Sequence, residues 1–294
     1  MNKLWQRAAR ILADSPILKP GRKLWYLNEQ NYGLPLSSTQ KLMTGAYIIL
    51  HDYAEERFPP TFNDQKRAYA AEIDYRFSVP GLATAEFVET EMRKPFWGAP
   101  LGPQYMLDFV KLSKILEQLK IEPPQRLLEL GCGTGWMAEF LSLRGYHVVG
   151  TSLSSDDVGD AQARIRSVEA KNLKVNLEFI EAPMESVADH FHDRDRFDCV
   201  YVYEALHHAY DWRQTIESAY ACLKDGGWLF ICAEPNVLHT YIAYRGAKLV
   251  HTHEIGMSRS ALRSHLKHVG FRKSKVLSNR IHVWIKPHWI GAQR

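Results

Sequence analysis

The stretch Leu127-Leu128-Glu129-Leu130-Gly131-Cys132-Gly133-Thr134-Gly135-Trp136 decides the fold of this chain. A short apolar run ends at Leu130, three glycines follow at alternate positions, and a helical pattern begins at Trp136. Glycine permits a positive φ and a close approach of ligand to backbone, and open α/β sheets bind ligands at the carboxyl ends of their strands. The stretch therefore predicts a nucleotide-like ligand between a first strand and the helix that follows it.

The spacing of the glycines excludes two common nucleotide sites. A dinucleotide fingerprint requires glycine at its first, third and sixth positions, and the sixth position here is Trp136. A P-loop requires Gly-Lys-Ser or Gly-Lys-Thr, which does not follow. The pattern is instead GxGxG with Glu129 two residues ahead of it, which disfavours NAD and nucleoside triphosphates as ligands.

From residue 105 onward, apolar strand-like runs alternate with helical patterns, which is typical of a parallel sheet covered on both faces. The predicted strands are 126–130, 147–153, 175–180, 197–203, 228–233, 271–277 and 281–285. The predicted helices between and after them are 136–143, 155–170, 212–223 and 258–268. The last two strands are so close in sequence that they require a hairpin. We therefore expect an α/β fold, a doubly wound, Rossmann-like sheet of seven strands whose last strand is antiparallel.

The first third of the chain has a different character. Prolines repeatedly interrupt its helical pattern, and aromatic residues are frequent without strand alternation. This predicts a mainly helical N-terminal region over residues 1–104, followed by the α/β domain over residues 105–294. We expect the N-terminal region to act as a cap that selects the substrate.

Composition places the chain among globular proteins, with 294 residues, 46% hydrophobic and 24% charged. No apolar run is long enough to span a membrane, and the N-terminus lacks the pattern of a secretory signal. The four cysteines are widely spaced, as expected of reduced thiols, so we expect a cytoplasmic protein. The net charge of +4 conceals a basic segment, since residues 236–294 hold 11 Lys and Arg against one acidic residue.

With the glycine stretch, two further segments resemble the class I S-adenosylmethionine-dependent methyltransferases. Residues 197–208 resemble the fourth-strand motif of this family, and residues 223–236 resemble its turn and fifth strand. The three segments occur in the family's order, within the type 11 and type 12 methyltransferases that include ubiquinone and menaquinone biosynthesis enzymes. The resemblance implies S-adenosylmethionine as the cofactor and methyl transfer as the reaction.

The resemblance also implies which residues hold the cofactor. Its methionine part would lie against the glycine loop, with Glu129 toward the ammonium. Backbone carbonyls or the aromatic face of Tyr203 or Trp136 would accommodate the sulfonium. At the ribose, Ser152 stands where the family usually has an acidic residue, and Asp157 or Asp156, one helical turn later, would compensate. Near the adenine, Pro183 replaces a common aspartate. The implied cofactor-binding residues are Glu129, Gly131, Cys132, Gly133, Gly135, Ser152, Asp157, Met184, Glu185 and Tyr203.

The methyl acceptor is expected beyond the fourth and fifth strands. Side chains there that can remove a proton include His207, His208 and Glu234, with Glu204, Asn236 and Tyr241 nearby. The basic C-terminal segment favours an anionic acceptor or an anionic membrane surface, with Arg245 and Lys248 as its contacts. We expect a small or medium acceptor, a sugar, glycan or lipid-linked intermediate, methylated on oxygen, with carbon and nitrogen left open.

Two other functions remain open at this point. A nucleic-acid methyltransferase is disfavoured, because Tyr203-Glu204-Ala205-Leu206 stands where base-amine methyltransferases carry Asn or Asp followed by Pro-Pro. A binding scaffold without turnover is the other alternative, prompted by the substituted ribose and adenine positions. The segment His251-Thr252-His253-Glu254 is a weak metal pattern, so no metal is predicted. The sequence does not determine the oligomeric state.

Overall fold

The computed structural model of the protein describes residues 3–31, 34–58, 64–78, 83–96, 102–192, 195–277 and 288–294. Its helices are α1 (Lys3–Ala13), α2 (Lys19–Gln30), α3 (Ser38–Ala54), α4 (Gln65–Ser78), α5 (Thr84–Met92), α6 (Gly102–Gln118), α7 (Trp136–Leu143), α8 (Ser155–Glu169), α9 (Trp212–Cys222), α10 (Leu238–Val250) and α11 (Arg259–Val269). Its strands are β1 (Arg126–Leu130), β2 (His147–Ser152), β3 (Asn176–Glu181), β4 (Phe197–Tyr203), β5 (Leu223–Glu234), β6 (Lys273–Val276) and β7 (His288–Gln293).

The chain folds as two units whose boundaries differ from the predicted division at residue 104. One unit comprises residues 1–84 and 237–256, and the other comprises residues 85–236 and 257–294. The first therefore includes α10, which Tyr244 and Lys248 tie to Asp52 of α3. The second includes Glu91, Met92 and Lys94, whose carbonyl oxygens accept hydrogen bonds from Arg164 of α8.

The larger unit is built on a mixed sheet. Within the residues described, seven strands pair in the order β3-β2-β1-β4-β5-β7-β6. The pairs from β3 to β5 are parallel, whereas β7 runs antiparallel to both β5 and β6. Apolar clusters cover both faces of the sheet, since successive side chains of a strand point to opposite faces. The expected doubly wound sheet with an antiparallel last strand is confirmed.

The strand that fills the antiparallel position in the described residues is β7, His288–Gln293. Residues 281–285, the predicted strand, lie outside the described residues, and β7 begins at His288. The sequence of β7 contains Gly291, which weakens a strand pattern. In the sheet, however, a Cβ at Gly291 would lie 3.0 Å from the ring of Phe230. The glycine makes room for this aromatic side chain, so tertiary pairing with β5, rather than local propensity, specifies the strand.

The smaller unit packs helices around a cluster that includes Trp25, Tyr47, Ile48 and Tyr244. The buried carboxylate of Asp52 accepts a hydrogen bond from Tyr244 Oη at 2.6 Å and another from Lys248. Burial alone would raise the pKa of Asp52, but the hydrogen bonds from Lys248, Tyr244 and His51 outweigh it and lower that pKa. The ion pair therefore holds α10 on α3.

Arg245 and Lys248 were predicted to bind an anionic acceptor, and the structure assigns both side chains to contacts within this unit. Arg245 Nη1 donates to Asn28 Oδ1 of α2 at 2.7 Å, and Lys248 pairs with Asp52. These two cations stabilise the contacts of α10 with α2 and α3, because a buried carboxylate or amide needs a hydrogen-bond partner. Arg245 and Lys248 therefore give little support to an anionic acceptor.

Candidate active site

The glycine loop lies at the carboxyl end of β1, where the parallel part of the sheet presents its ligand-binding edge. The φ angles of Gly131, Gly133 and Gly135 are +66°, +50° and +74°, which residues with a Cβ rarely adopt. A Cβ at Gly131 would lie 2.6 Å from Ala205 Cβ, and one at Gly135 would lie 2.4 Å from the ring of Phe179. Apart from its two neighbours in the chain, none of the described residues has an atom within 4 Å of a Cβ placed at Gly133. The loop thus packs closely at its two ends and leaves open space at its middle.

Two side chains of the glycine stretch point into the protein. Glu129 is buried, and its Oε2 accepts a hydrogen bond from Tyr201 Oη at 3.0 Å. Burial raises the pKa of Glu129 to about 8, although Tyr201, the Ala138 amide and Arg164 oppose the shift. The Cys132 thiol packs beside Gly150, and burial raises its pKa well above the ordinary value. Only the backbone of Cys132 is therefore suited to face a ligand.

The predicted pair at the ribose position is brought together by the structure. Ser152 Oγ, at the end of β2, donates to Asp157 Oδ2 in the first turn of α8 at 3.1 Å. Ser154 forms the N-cap of α8 by accepting from the Asp157 amide. A hydroxyl and a carboxylate thus lie side by side at the end of β2, where together they offer the hydrogen-bond acceptors that a lone serine lacks.

The two residues predicted near the adenine have different surroundings. A Cβ at Gly131 would lie 3.2 Å from Met184 Sδ, so Met184 lies beside the glycine loop. Glu185 is buried, and its Oε1 accepts from the Asp211 amide at 3.2 Å, in the turn before α9. Of these two residues, Met184 is therefore the one placed to contact a cofactor.

An aromatic cluster lies next to the loop. The ring of Trp136 has its centroid 5.8 Å from Tyr105 and 5.8 Å from Tyr203. Tyr203 Oη donates to Asp108 Oδ2 at 3.1 Å, and Gln104 donates to Oδ1 of the same carboxylate at 2.9 Å. Burial raises the pKa of Asp108, which the sequence analysis did not single out. These bonds fix the Tyr203 ring at the end of β4.

Glu234 organises the turn that follows β4. Its carboxylate is completely buried and accepts hydrogen bonds from the amides of Ala205, Leu206 and His207. It also accepts from His207 Nδ1 at 2.9 Å. The prediction that Glu234 removes a proton from the acceptor is not supported by this geometry, because its oxygens are engaged in the turn. The His208 ring lies against that of His207, with centroids 4.1 Å apart.

Glu204 is the residue that this turn presents to solvent. It lies directly after β4, is exposed, and has a left-handed backbone with φ of +47°. Such conformations are costly for residues other than glycine and are concentrated at functional sites. Desolvation by the surrounding protein raises the pKa of Glu204 to about 7. Lys94 and His208 oppose this shift, whereas Glu234 and Asp108 reinforce it.

Lys94 is held close to this carboxylate by a network that the sequence did not reveal. Its Nζ donates to Glu91 Oε2 at 2.7 Å and lies 5.3 Å from the centroid of the Tyr105 ring. The buried guanidinium of Arg164 donates to the carbonyl oxygens of Glu91, Met92 and Lys94. The only sequence signal for Arg164 is its place on the buried stripe of α8 with Ala161 and Val168.

Comparison with known proteins identifies the family. Residues 105–276, more than half of the chain, match the family described as methyltransferase domain. Ubiquinone biosynthesis O-methyltransferase of Marinobacter nauticus is 27% identical over 197 residues, which are 63% of this chain and 80% of that protein. The enzyme of the same name from Alkalilimnicola ehrlichii is 28% identical over 45% of this chain, and the match spans only about half of that relative, 51%.

Solved structures share the fold. Magnesium protoporphyrin IX methyltransferase from Synechocystis PCC 6803, solved with bound SAH, superposes with a TM-score of 0.55 at 17% identity. The match covers 77% of this chain and 99% of that one. The YcgJ protein of Bacillus has a TM-score of 0.50 at 15% identity, covering 63% of this chain and 98% of that one. Taken with the family match, the sheet order and the glycine loop, these findings show that the chain belongs to the class I S-adenosylmethionine-dependent methyltransferases.

Proposed function

We propose that this methyltransferase transfers its methyl group to a hydroxyl oxygen of a small-molecule acceptor. Support comes from the relatives named O-methyltransferases and, above all, from Glu204, an exposed residue whose neighbour Ala205 lies beside Gly131 of the glycine loop. A hydroxyl is a poor nucleophile until it loses its proton, so O-methylation benefits from a base close to the cofactor. A carboxylate with a pKa of about 7 suits that task near neutral pH.

The described residues fit the cofactor that the family uses. S-adenosylmethionine, when bound, supplies an electrophilic methyl group on a positively charged sulfur. We assign its contacts to the open middle of the glycine loop at Gly133, to Ser152 and Asp157 for the ribose hydroxyls, and to Met184 beside the loop. Glu129 would orient the ammonium, which would favour the charged form of this buried carboxylate.

In the proposed reaction, Glu204 takes the hydroxyl proton while the acceptor oxygen forms a bond to the methyl carbon. The bond between that carbon and sulfur breaks, and its electron pair remains on sulfur. Lys94 would stabilise the negative charge that develops on the oxygen. Most of the remaining rate enhancement comes from holding the two reactants in line.

His207 and His208 were predicted as bases, along with Glu234. The surroundings of His207 favour a structural role for it. The ring of His207 is nearly buried and bonds Glu234, so we assign His207 and Glu234 to fixing the turn that presents Glu204. His208 lies next to this turn and remains a second candidate for proton transfer. The observation that favours Glu204 is that this residue is exposed whereas Glu234 is buried.

The charges of the larger unit bear on the class of acceptor. Around the end of β4, Glu91, Asp108, Glu204 and Glu234 outnumber Lys94. This balance suits a cationic cofactor and an acceptor whose reacting part is neutral, such as a phenol or a sugar hydroxyl. We further propose that residues 1–84 with 237–256 select the acceptor, since the larger part of this unit, residues 1–84, lies outside the residues that match the family.

The test is transfer of labelled methyl from S-adenosylmethionine to pooled acceptors grouped as phenols, sugars, amines and carboxylic acids. We expect products labelled on hydroxyl oxygen, and a rate that rises with pH to a plateau above about pH 7. Glu204→Gln should abolish turnover and retain binding of S-adenosylhomocysteine, whereas Glu178→Gln, an exposed glutamate on β3, should leave both unchanged. Label on nitrogen or carbon, or full activity of E204Q, would overturn the proposal.

A further inference from the structure

In α1 the small side chains are buried and the large apolar side chains are exposed, which is the reverse of what the hydrophobic effect favours. Its two alanines, Ala9 and Ala13, are buried at 4% and 3% exposure. Its large apolar side chains point outward, with Leu4 at 72%, Trp5 at 63%, Ile11 at 65% and Leu12 at 52% exposure. A helix held only by the hydrophobic effect would turn the large side chains inward. The exposed residues instead form a continuous apolar face that the described residues of this chain leave uncovered.

Polar contacts fix this orientation. Arg10 Nη2 pairs with Glu55 Oε1 at 2.7 Å, and Gln6 Nε2 donates to Glu56 Oε1 at 2.5 Å. Both acceptors follow the end of α3. Residues 6 and 10 are one turn apart on the same side of the helix, so the two contacts hold α1 against rotation. The outward apolar face is therefore specified by the structure of this unit.

The segment that carries the apolar face is basic, although Glu55 and Glu56 contact the other side of α1. Between residues 3 and 23 the chain carries six Lys and Arg against one acidic residue, Asp14. Lys3 and Arg7 lie on the polar side of α1, and Lys19 and Lys23 are exposed on α2. Ile17, in the turn between these helices, is 79% exposed. Apolar side chains and a basic border thus occur together on one segment.

We propose that α1 and the turn after it dock this protein on the surface of an anionic lipid bilayer. Helices of this kind lie in the plane of the interface, with Trp and Leu side chains among the acyl chains and Lys and Arg at the headgroups. Each cation near an anionic leaflet adds to the attraction. A second copy of this chain is a poorer partner, because a symmetric contact through this face would bring two basic borders together.

The proposed contact is interfacial. The helix has 11 residues, fewer than the roughly 20 that a spanning helix needs. Among the residues that the structure describes, no helix is long and apolar enough to cross a membrane. A shallow helix of this length would bind reversibly, and its affinity would depend on lipid charge and on salt.

The experiment is co-sedimentation of the full chain with vesicles of phosphatidylcholine alone or mixed with 30% phosphatidylglycerol. We expect binding to the anionic vesicles that weakens with salt. Leu4→Gln with Ile11→Gln should weaken it at least about tenfold, because both side chains lose their apolar contact. Lys3→Gln should weaken it about fivefold. The matched control, Leu107→Gln with Leu173→Gln, replaces two exposed leucines elsewhere and should bind like the unchanged protein.

Folding of each variant is checked by the thermal shift that S-adenosylhomocysteine produces, which the substitutions on α1 should leave unchanged. Absence of binding by the unchanged protein, or equal binding by the L4Q/I11Q variant, would overturn the proposal. So would a dimer in solution that this variant converts to a monomer, because the face would then be an interface between copies. None of these outcomes depends on which acceptor is methylated.

Discussion

Arg164 Nε donates a hydrogen bond of 2.7 Å to the carbonyl oxygen of Thr134, and this bond joins α8 to the glycine loop. The same guanidinium pairs with Glu139 of α7 at 2.9 Å and donates to the carbonyls of Glu91 and Met92. One side chain thus connects the loop, the helix that follows it and the segment that carries Lys94.

Arg164→Lys should weaken binding of S-adenosylhomocysteine by about tenfold or more and destabilise the larger unit by about 3 kcal/mol. An ammonium cannot reproduce the planar fork that reaches several acceptors at once. Calorimetric titration and thermal unfolding would measure the two effects. Arg166→Lys, an exposed arginine on the same helix, is the control and should leave both quantities unchanged. Full cofactor affinity of R164K would show that the loop keeps its geometry without this side chain.

Gly133→Ala separates backbone strain from loss of space for the cofactor. Beyond its chain neighbours, a Cβ at this position meets no atom of the described residues within 4 Å, so the free protein should lose only about 1 kcal/mol for a positive φ. Binding of S-adenosylhomocysteine should fall by at least about a hundredfold if the cofactor occupies that space. Gly226→Ala is a close control, because its φ of +81° and its open surroundings match while it lies far along the chain in β5. Equal loss of binding in both variants would refute the assignment.

The stability of the cofactor-free protein should fall as the pH rises from 5 to 8.5. Burial raises the pKa of Glu129 from 4.5 to about 8, so the folded protein keeps a proton that the unfolded chain releases above about pH 4.5. The stabilisation is present below pH 4.5 and is lost as the pH approaches 8. Thermal unfolding of Glu129→Gln across this range should show a shallower slope than that of the unchanged protein. Identical slopes, with Glu178→Gln as reference, would mean that Glu129 is ionised throughout.

Asp52→Asn should destabilise the smaller unit by about 3 kcal/mol, because it leaves Lys248 and Tyr244 without the carboxylate that accepts from both. The matched control is Asp14→Asn, whose exposed carboxylate lies 3.9 Å from Arg22 and contributes little. Replacing both partners, as Asp52→Leu with Lys248→Met, should recover part of the loss. Denaturant unfolding checks all three, and equal stability of D52N and D14N would count against the ion pair.

Local patterns in the sequence predicted the parallel half of the fold accurately. The bounds of β1 and β4 agree residue for residue with the prediction, because each is an apolar run that ends at a glycine or polar turn. The α10 segment had no prediction, since its helix is stabilised by Asp52 and Asn28, which lie about 200 residues earlier in the chain. Contacts of that range leave no local periodicity to detect.

The residues of the candidate site likewise fall into two groups, those that local sequence patterns predicted and those that they did not. Ser152 and Asp157 are five residues apart, so the predicted geometry of a strand end and the next helix was enough to bring them together. Arg164 contacts Glu91 across 73 positions, and Tyr203 contacts Asp108 across 95. In the sequence, nothing distinguishes Arg164 or Asp108 from any other arginine or aspartate. Their importance comes from tertiary packing, which a single sequence does not encode in any short motif.

The points where the chain leaves and re-enters the larger unit have a consequence for how such proteins can diversify. Asn236 and Met257 pair in a parallel bridge, and the Met257 amide donates to the Pro235 carbonyl oxygen at 3.1 Å. Because the two ends of this segment are neighbours, its length can change without moving β5 before it or α11 after it. The intervening 20 residues, 237–256, can therefore be replaced as one segment. Replacing them together with the N-terminal helices would attach a different smaller unit to an unchanged larger unit.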